Sequence, residues 1–412
     1  MAEVVSGILS EPLDILGRLL APEGKQNPYP LYEEMRAHGP VVTIAGVHTF
    51  ITGYAECAQA LREPRLLSTD AAVQDQRLQG WREHSSWRWL TRNMLFSNDP
   101  DHDRLRRFFG NAFSARRVAE MRSLVQELAY DAVRHVATLG AGGQVVDLVP
   151  EFSFRFPMAV IGRLLGVPEA DQLRFREAIG DITSALEPVR DLRELERGDA
   201  GMDLLAEYLT TLIARLRETP GPDLTSGWIK ALDEGAEITE EELLANFMLL
   251  LVAATEAPQD LLSNTVRLAL EQPAHAARLR ENPEFVESFV KETLRFDPAV
   301  QVLNRVAAED LDFFGARVTA HSPVTLLIAA GNRDPRRFDN PLMFDPARPD
   351  NQALTFSAGG HYCLGAALAC MSAEVVLPLL LRSLPELSLA GDATFRVQVV
   401  QRGHEHLPVT TN

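Results

Sequence analysis

The chain has 412 residues, 46% of them hydrophobic and 24% charged, with 26 Gly, 25 Pro and three Cys. This ordinary globular composition excludes collagen-like, disordered and disulfide-scaffold classes. The formal charge of −17, from 57 acidic and 40 basic residues, repels a phosphate backbone and argues against nucleic-acid binding.

In chain order, Met1 to Leu20 breaks its apolar residues with Glu3, Glu11, Asp14 and Arg18. It lacks the basic region and unbroken apolar core of a signal peptide. Val41 to Thr52 alternates around Gly46 and predicts a hairpin. Thereafter helical periodicity predicts helices over about 100–138, 150–183, 192–217, 223–234, 239–271, 273–296 and 363–384. Strand patterning returns at about 299–306, 311–327 and 396–409. The expected fold class is mainly α with a minor β part, since helices and strands do not alternate as a doubly wound sheet requires. No linker, charge block or repeat divides the sequence, so a single domain over 1–412 is expected. The apolar stretch Leu243 to Ala254 contains Asn246 and is shorter than the roughly 20 residues of a bilayer span. No membrane association and a cytoplasmic location are therefore expected. Cys57, Cys363 and Cys370 show no paired spacing, which favours a reducing compartment.

The helix expected after Ile238 opens on Thr239-Glu240-Glu241-Glu242, a capping box with acids at the positive end of the dipole. It is apolar nearly all round to Leu251 and then runs into Ala254-Thr255-Glu256-Ala257-Pro258. A carboxylate and a proline inside a buried helix break local consistency, and such breaks mark function.

The stretch from Phe356 to Gly365, Phe-Ser-Ala-Gly-Gly-His-Tyr-Cys-Leu-Gly, precedes an Ala- and Leu-rich helix. Its glycines allow a tight turn and close approach to a flat ligand, and Cys363 is expected at the helix start, where thiolate is favoured. Such a thiolate binds a metal or acts as a nucleophile. A zinc site needs more ligands at short spacing than His361 offers, and a nucleophile needs a base that the sequence does not identify. A single thiolate on a haem iron needs no second protein ligand.

The pattern Phe-x-x-Gly-x-His-x-Cys-x-Gly resembles the haem-binding signature of the cytochrome P450 superfamily. Glu292-Thr293-Leu294-Arg295 is similar to that family's Glu-x-x-Arg motif, and Phe344 to Arg348 to the segment supplying a second Arg to the cluster. Asn332 to Pro335, Asp99 to His102, Arg402-Gly403 and Leu407 to Val409 also resemble bacterial members, so the similarity covers roughly 28 to 410. The resemblance implies the P450 fold, a helix-rich single domain enclosing haem b (iron protoporphyrin IX), with Cys363 as axial ligand and Phe356 and Gly365 in the cofactor loop. It implies propionate contacts from His102, Arg106, Arg305 and His361. Glu292, Arg295 and Arg348 are read as structural. Cys370 stands where the family commonly has Arg, and Cys57 reads as a small buried hydrophobe.

The implied activity is monooxygenation of a hydrophobic or amphipathic small molecule, free or carrier-tethered, in secondary-metabolite biosynthesis. Electrons would come from ferredoxin and ferredoxin reductase, with Arg104, Arg107, Arg116 and Arg117 offered to an acidic partner. A haem-binding protein without turnover is the alternative, and a cysteine hydrolase a distant third. Where the family has an acid followed by Thr to deliver protons for oxygen activation, this chain has Glu256 followed by Ala257. Thr255 falls on the opposite helix face, whereas Ala254, Ala257 and Pro258 share one. The expected replacement is a water on the Ala254 carbonyl or a polar group of the substrate, with Glu256 more distant. Trp81, Trp87 and Trp89, beside Arg82, His84 and Arg88, either stack on substrate or pack their own loop.

Overall fold

The computed structural model describes residues 2–188 and 192–411. Contacts divide them into two compact units. One comprises 1–77, 288–363 and 394–403, the other 78–287, 364–393 and 404–412.

The first unit is built on a five-stranded sheet. Val41–Ile44 and His48–Ile51 form the expected hairpin, with Ala45 and Gly46 both at positive φ (53° and 70°). Ile44 pairs with His48 across a three-residue turn, in which Ala45 and Gly46 take left-handed conformations and Gly46 does so without strain. His48–Ile51 runs parallel to Pro323–Leu327, which pairs antiparallel with Val302–Ala307, and Leu66–Leu67 closes that edge. Strand alternation sends Ile51 and Leu326 into one cluster with Cys57, Leu61 and Leu354. Phe50 and Leu327 join the other, with Ile15, Tyr32 and Met35. Burial pushes the Cys57 thiol up, consistent with its reading as a core hydrophobe.

On this sheet His48 stacks on Phe50 at 4.2 Å, and its Nε2 lies 2.8 Å from the Thr325 hydroxyl. Burial, with Arg77 as a second cause, holds the imidazole down to about 4 from an ordinary 6.5. The folded state therefore resists a proton that the unfolded state accepts. His48 contributes stability in full above about pH 6.5, and that contribution is lost as pH falls toward about 4. Urea midpoints measured across this window should decline more steeply for wild type than for His48→Gln, which keeps a donor for Thr325.

The same unit holds a buried ion cluster on the helix Pro283–Phe296. Glu292 and Arg295 are both fully buried, with Arg295 Nε and Nη2 donating to Glu292 at 2.8 and 2.7 Å. Arg295 also donates to the carbonyls of Asn332, Pro341 and Met343. Glu292 further accepts from the Asp345 N–H and Asn351 Nδ2, and Arg348 Nε lies 3.5 Å away. Nearly every polar atom is satisfied, the condition for burying such a pair.

The second unit is helical around Glu240–Glu271, about 48 Å long at 1.5 Å per residue. Its capping box forms as expected, with the Glu242 N–H donating to Thr239 Oγ1 at 3.1 Å and the Thr239 N–H to Glu242 Oε2 at 2.8 Å. Arg155–Leu165, Arg176–Ser184, Glu196–Glu218, Leu224–Asp233 and Ala366–Ser383 pack on it, and Arg122–Leu139 packs on Ala366–Ser383. Leu243, Phe247 and Leu251 are fully buried, each worth about 1.5–3 kcal/mol. A window within Gly359–Ser383 has mean hydropathy 2.0 and meets the length and composition of a bilayer span, with 56% of it buried inside the protein.

Three long predicted helices are broken, the 273–296 prediction at Asn282 into Pro273–Glu281 and Pro283–Phe296. The 100–138 prediction becomes Asp101–Gly110, Ala115–Glu120 and Arg122–Leu139. In 150–183, Arg155–Leu165 ends on Gly166 at φ 75°, where the Val167 N–H caps the Gly162 carbonyl at 2.8 Å.

Candidate functional site

The cysteine loop lies in the first unit. Ser357 and Gly359 adopt positive φ (64° and 68°), and the Cys363 N–H closes the loop on the Phe356 carbonyl at 2.8 Å. Cys363 is exposed and Phe356 half-buried. The helix beyond begins only at Ala366, with Gly365 as its N-cap. Cys363 therefore precedes the helix by three residues and is not in its first turn, a correction to the sequence reading. The two glycines and left-handed Ser357 hold this stretch as a loop.

Arg305 lies in the same unit on Val302–Ala307 and is only 8% exposed. Its Nη1 donates to the Asn304 carbonyl at 2.9 Å, and no carboxylate among the described residues forms an ion pair with it. Burial alone lowers it to about 10. A buried guanidinium without a counter-charge is costly, so this position fits an anionic group brought by a ligand. His361, two residues before Cys363, sets its Nε2 3.3 Å from Ser68 Oγ.

The remaining candidates lie in the second unit. His102 is buried on Asp101–Gly110, its Nδ1 3.4 Å from Asp99 and 3.6 Å from Asp103, and half-buried Arg106 follows four residues later on the same face. Arg104, expected among the docking cations, is instead committed. It donates to Glu242 Oε1 at 2.6 Å, to Asp101 at 2.8 Å and to the Glu237 carbonyl at 2.7 Å. Arg107 and Arg117 are exposed, and Arg116 makes an exposed pair with Glu120.

On the central helix, a patch of small residues reaches the surface in an otherwise buried stretch. Ala253 is exposed and Ala254, Ala257 and Pro258 are half-buried, while Leu251, Val252, Thr255, Glu256 and Gln259 are buried. Thr255 turns inward, donating to the Leu251 carbonyl at 2.7 Å with Met158 Sδ at 3.7 Å. Glu256 is 3% exposed and faces Gly180, whose position for a Cβ is 3.9 Å from Glu256 Oε1. It lies off the open stripe. Pro258 lacks the N–H that would satisfy the Ala254 carbonyl, yet the helix runs on to Glu271.

The tryptophan stretch is packed within its unit. Trp81 is buried under the Arg82 guanidinium at 4.5 Å, and Trp87 meets Phe96 edge-on at 5.5 Å. His84 Nδ1 and Ser86 Oγ both reach Asp199, each at 2.6 Å, tying Ser85–Leu90 to Glu196–Glu218. Sequence reasoning missed this anchor and Ser68, because both depend on partners far along the chain.

In the first unit, an exposed thiol in a left-handed loop and a buried guanidinium with no carboxylate partner among the described residues fit a haem's iron and its anionic propionates. The family description Cytochrome P450 matches residues 9–385. The chain belongs to the cytochrome P450 family. This P450 is 31% identical over 390 residues to the biotin biosynthesis cytochrome P450 of Bacillus subtilis, covering 93% of this chain and 96% of that one. It is 34% identical over 418 aligned positions to the putative cytochrome P450 140 of Mycobacterium tuberculosis, covering 96% and 92%. Among solved structures, P450BioI in complex with an acyl carrier protein ligated to hexadec-9Z-enoic acid superposes with a TM-score of 0.85 at 31% identity, covering 94% of this chain and 99% of that one. The fold is that of the P450s, and the enzyme is a P450 monooxygenase of the class that binds haem b through a cysteine thiolate.

Proposed function

We propose that this P450 oxidises a hydrophobic or amphipathic small molecule, in a biosynthetic role, through an oxygen-activation groove that works without a threonine hydroxyl. The observation that carries this reading is the stripe of Ala253, Ala254, Ala257 and Pro258, open within the stretch Leu250 to Val266 that is otherwise buried.

Bound haem supplies activation of dioxygen and insertion of one oxygen atom into the substrate. Cys363 would hold its iron as thiolate, with Phe356 and Gly365 shaping the loop. His102, Arg106, Arg305 and His361 would neutralise its propionates. The apolar stripe keeps bulk water from crowding the substrate and leaves the Ala254 carbonyl free to accept. A water donating to that carbonyl, or a hydroxyl or carboxyl of the substrate, occupies the place of the absent side chain and hands on a proton. Buried Glu256, turned toward Gly180, supplies protons from further back.

Ala257→Thr tests the groove. Adding a hydroxyl should change the ratio of hydrogen peroxide to product by about two- to tenfold, the value of one hydrogen bond. The change should be greatest for substrates lacking a polar group. Equal coupling for polar and apolar substrates, unmoved by Ala257→Thr, would contradict it. Absence of any product with electrons freely supplied would favour a haem protein without turnover.

A carrier-tethered acyl chain is the amphipathic substrate form favoured by the solved acyl-carrier-protein complex of P450BioI. Exposed Arg107, Arg116 and Arg117 suit an acidic carrier or ferredoxin, with ferredoxin reductase upstream. Spin-shift titrations comparing a carrier-bound chain with the free acid separate the two substrate forms.

A further inference from the structure

We propose that the Ser68 hydroxyl is a positioning group for haem binding: it holds Nε2 of His361, so that the ring presents its Nδ1–H to an anionic oxygen. The inference rests on the reading that His361 meets a propionate. It concerns residues of the first unit only.

Sheet register brings Ser68 into place. Leu66 pairs with Ala307 and Leu67 with Val306, so continuing the antiparallel pairing by one residue sets Ser68 toward Arg305. Both are buried, at 3% and 8% exposure. The cysteine loop is seated on the same stretch of chain. A Cβ on Gly359 would lie 2.8 Å from the Leu61 carbonyl oxygen and 3.3 Å from Arg62 Cα. Only glycine fits there at φ 68°. Two residues on, His361 Nε2 lies 3.3 Å from Ser68 Oγ. Residues 61–68 thus hold the loop at Gly359 and at His361, immediately before Cys363.

A hydroxyl both donates and accepts, and in a neutral imidazole one nitrogen carries the proton while the other accepts. With Ser68 donating to Nε2, the proton resides on Nδ1, and the ring is fixed in one tautomer and one orientation. A side chain already ordered loses less conformational freedom when its other nitrogen engages a ligand. The same logic fixes metal-bound histidines through a partner on the far nitrogen. Here it acts on a histidine that binds a carboxylate.

The test is release of haem from the full-length holoprotein to excess apomyoglobin at constant pH. Ser68→Ala should release haem about three- to tenfold faster, the effect of one net hydrogen bond. Ser68→Thr, which keeps the hydroxyl, should stay near wild type, and the resonance Raman band of the propionates should shift in Ser68→Ala but not in Ser68→Thr. In a His361→Ala background, Ser68→Ala should add nothing, and this cycle decides the matter should threonine prove too large for the site. Unchanged release in His361→Ala would overturn the propionate reading of His361. Faster release in His361→Ala with no effect of Ser68→Ala, or an equal effect of Ser68→Ala in both backgrounds, would overturn the role of Ser68.

Discussion

Arg295→Ala is expected to lose about 3–5 kcal/mol of stability, because removing one partner of a buried pair strands the other. Among the described residues, Arg348 at 3.5 Å would be the cation left to fully buried Glu292. The carbonyls of Asn332, Pro341 and Met343 would lose their Arg295 donors. Domain stabilities are commonly about 5–15 kcal/mol, so the variant should be largely unfolded at modest denaturant. Arg348→Ala should cost less, since that side chain contacts Glu292 at longer range and spends its other donors on the Asp339, Asn340 and Met343 carbonyls. Urea midpoints for the two variants check the order. An Arg295→Ala protein within about 1 kcal/mol of wild type would show that the cluster does not carry this unit, since a lost buried charge pair costs several times that.

Cys363→Ala is expected to abolish turnover, a larger effect than any other single change to the site. The thiolate supplies the electron density that favours O–O cleavage, and neither remaining cysteine can take its place. Cys57 is fully buried in the sheet cluster with its thiol pushed up by burial. Cys370 lies seven residues further along the chain, inside the helix Ala366–Ser383 and outside the loop that carries Cys363. Cys57→Ala and Cys370→Ala should keep turnover. Product formation measured with all three variants at equal haem loading checks this, and turnover surviving in Cys363→Ala would contradict the assignment.

Features written in local sequence were the legible ones. The helix from 239 to 271 was bounded by its capping box and by Pro273, and the hairpin over 41–52 by Gly46 in its turn. The cysteine loop declared itself through the spacing of Phe356, Gly359, His361 and Cys363. Short helices such as Tyr29–Ala37, Tyr54–Ala60, Ala71–Arg77 and Ser85–Leu90 were not legible. At one to three turns they are held by tertiary packing more than by their own periodicity. Charge alone also misassigned Arg104, because its partner Glu242 lies 138 residues away. Ser68 carries no signal in local sequence, because its partner His361 lies 293 residues away.

The most direct test of haem-thiolate chemistry at Cys363 is the absorption spectrum of the reduced carbonyl complex, recorded for wild type and Cys363→Ala side by side. The account predicts a Soret band at the thiolate-haem position in the wild type and none there in the variant. A wild-type band away from that position, or the same thiolate band in both proteins, would contradict it.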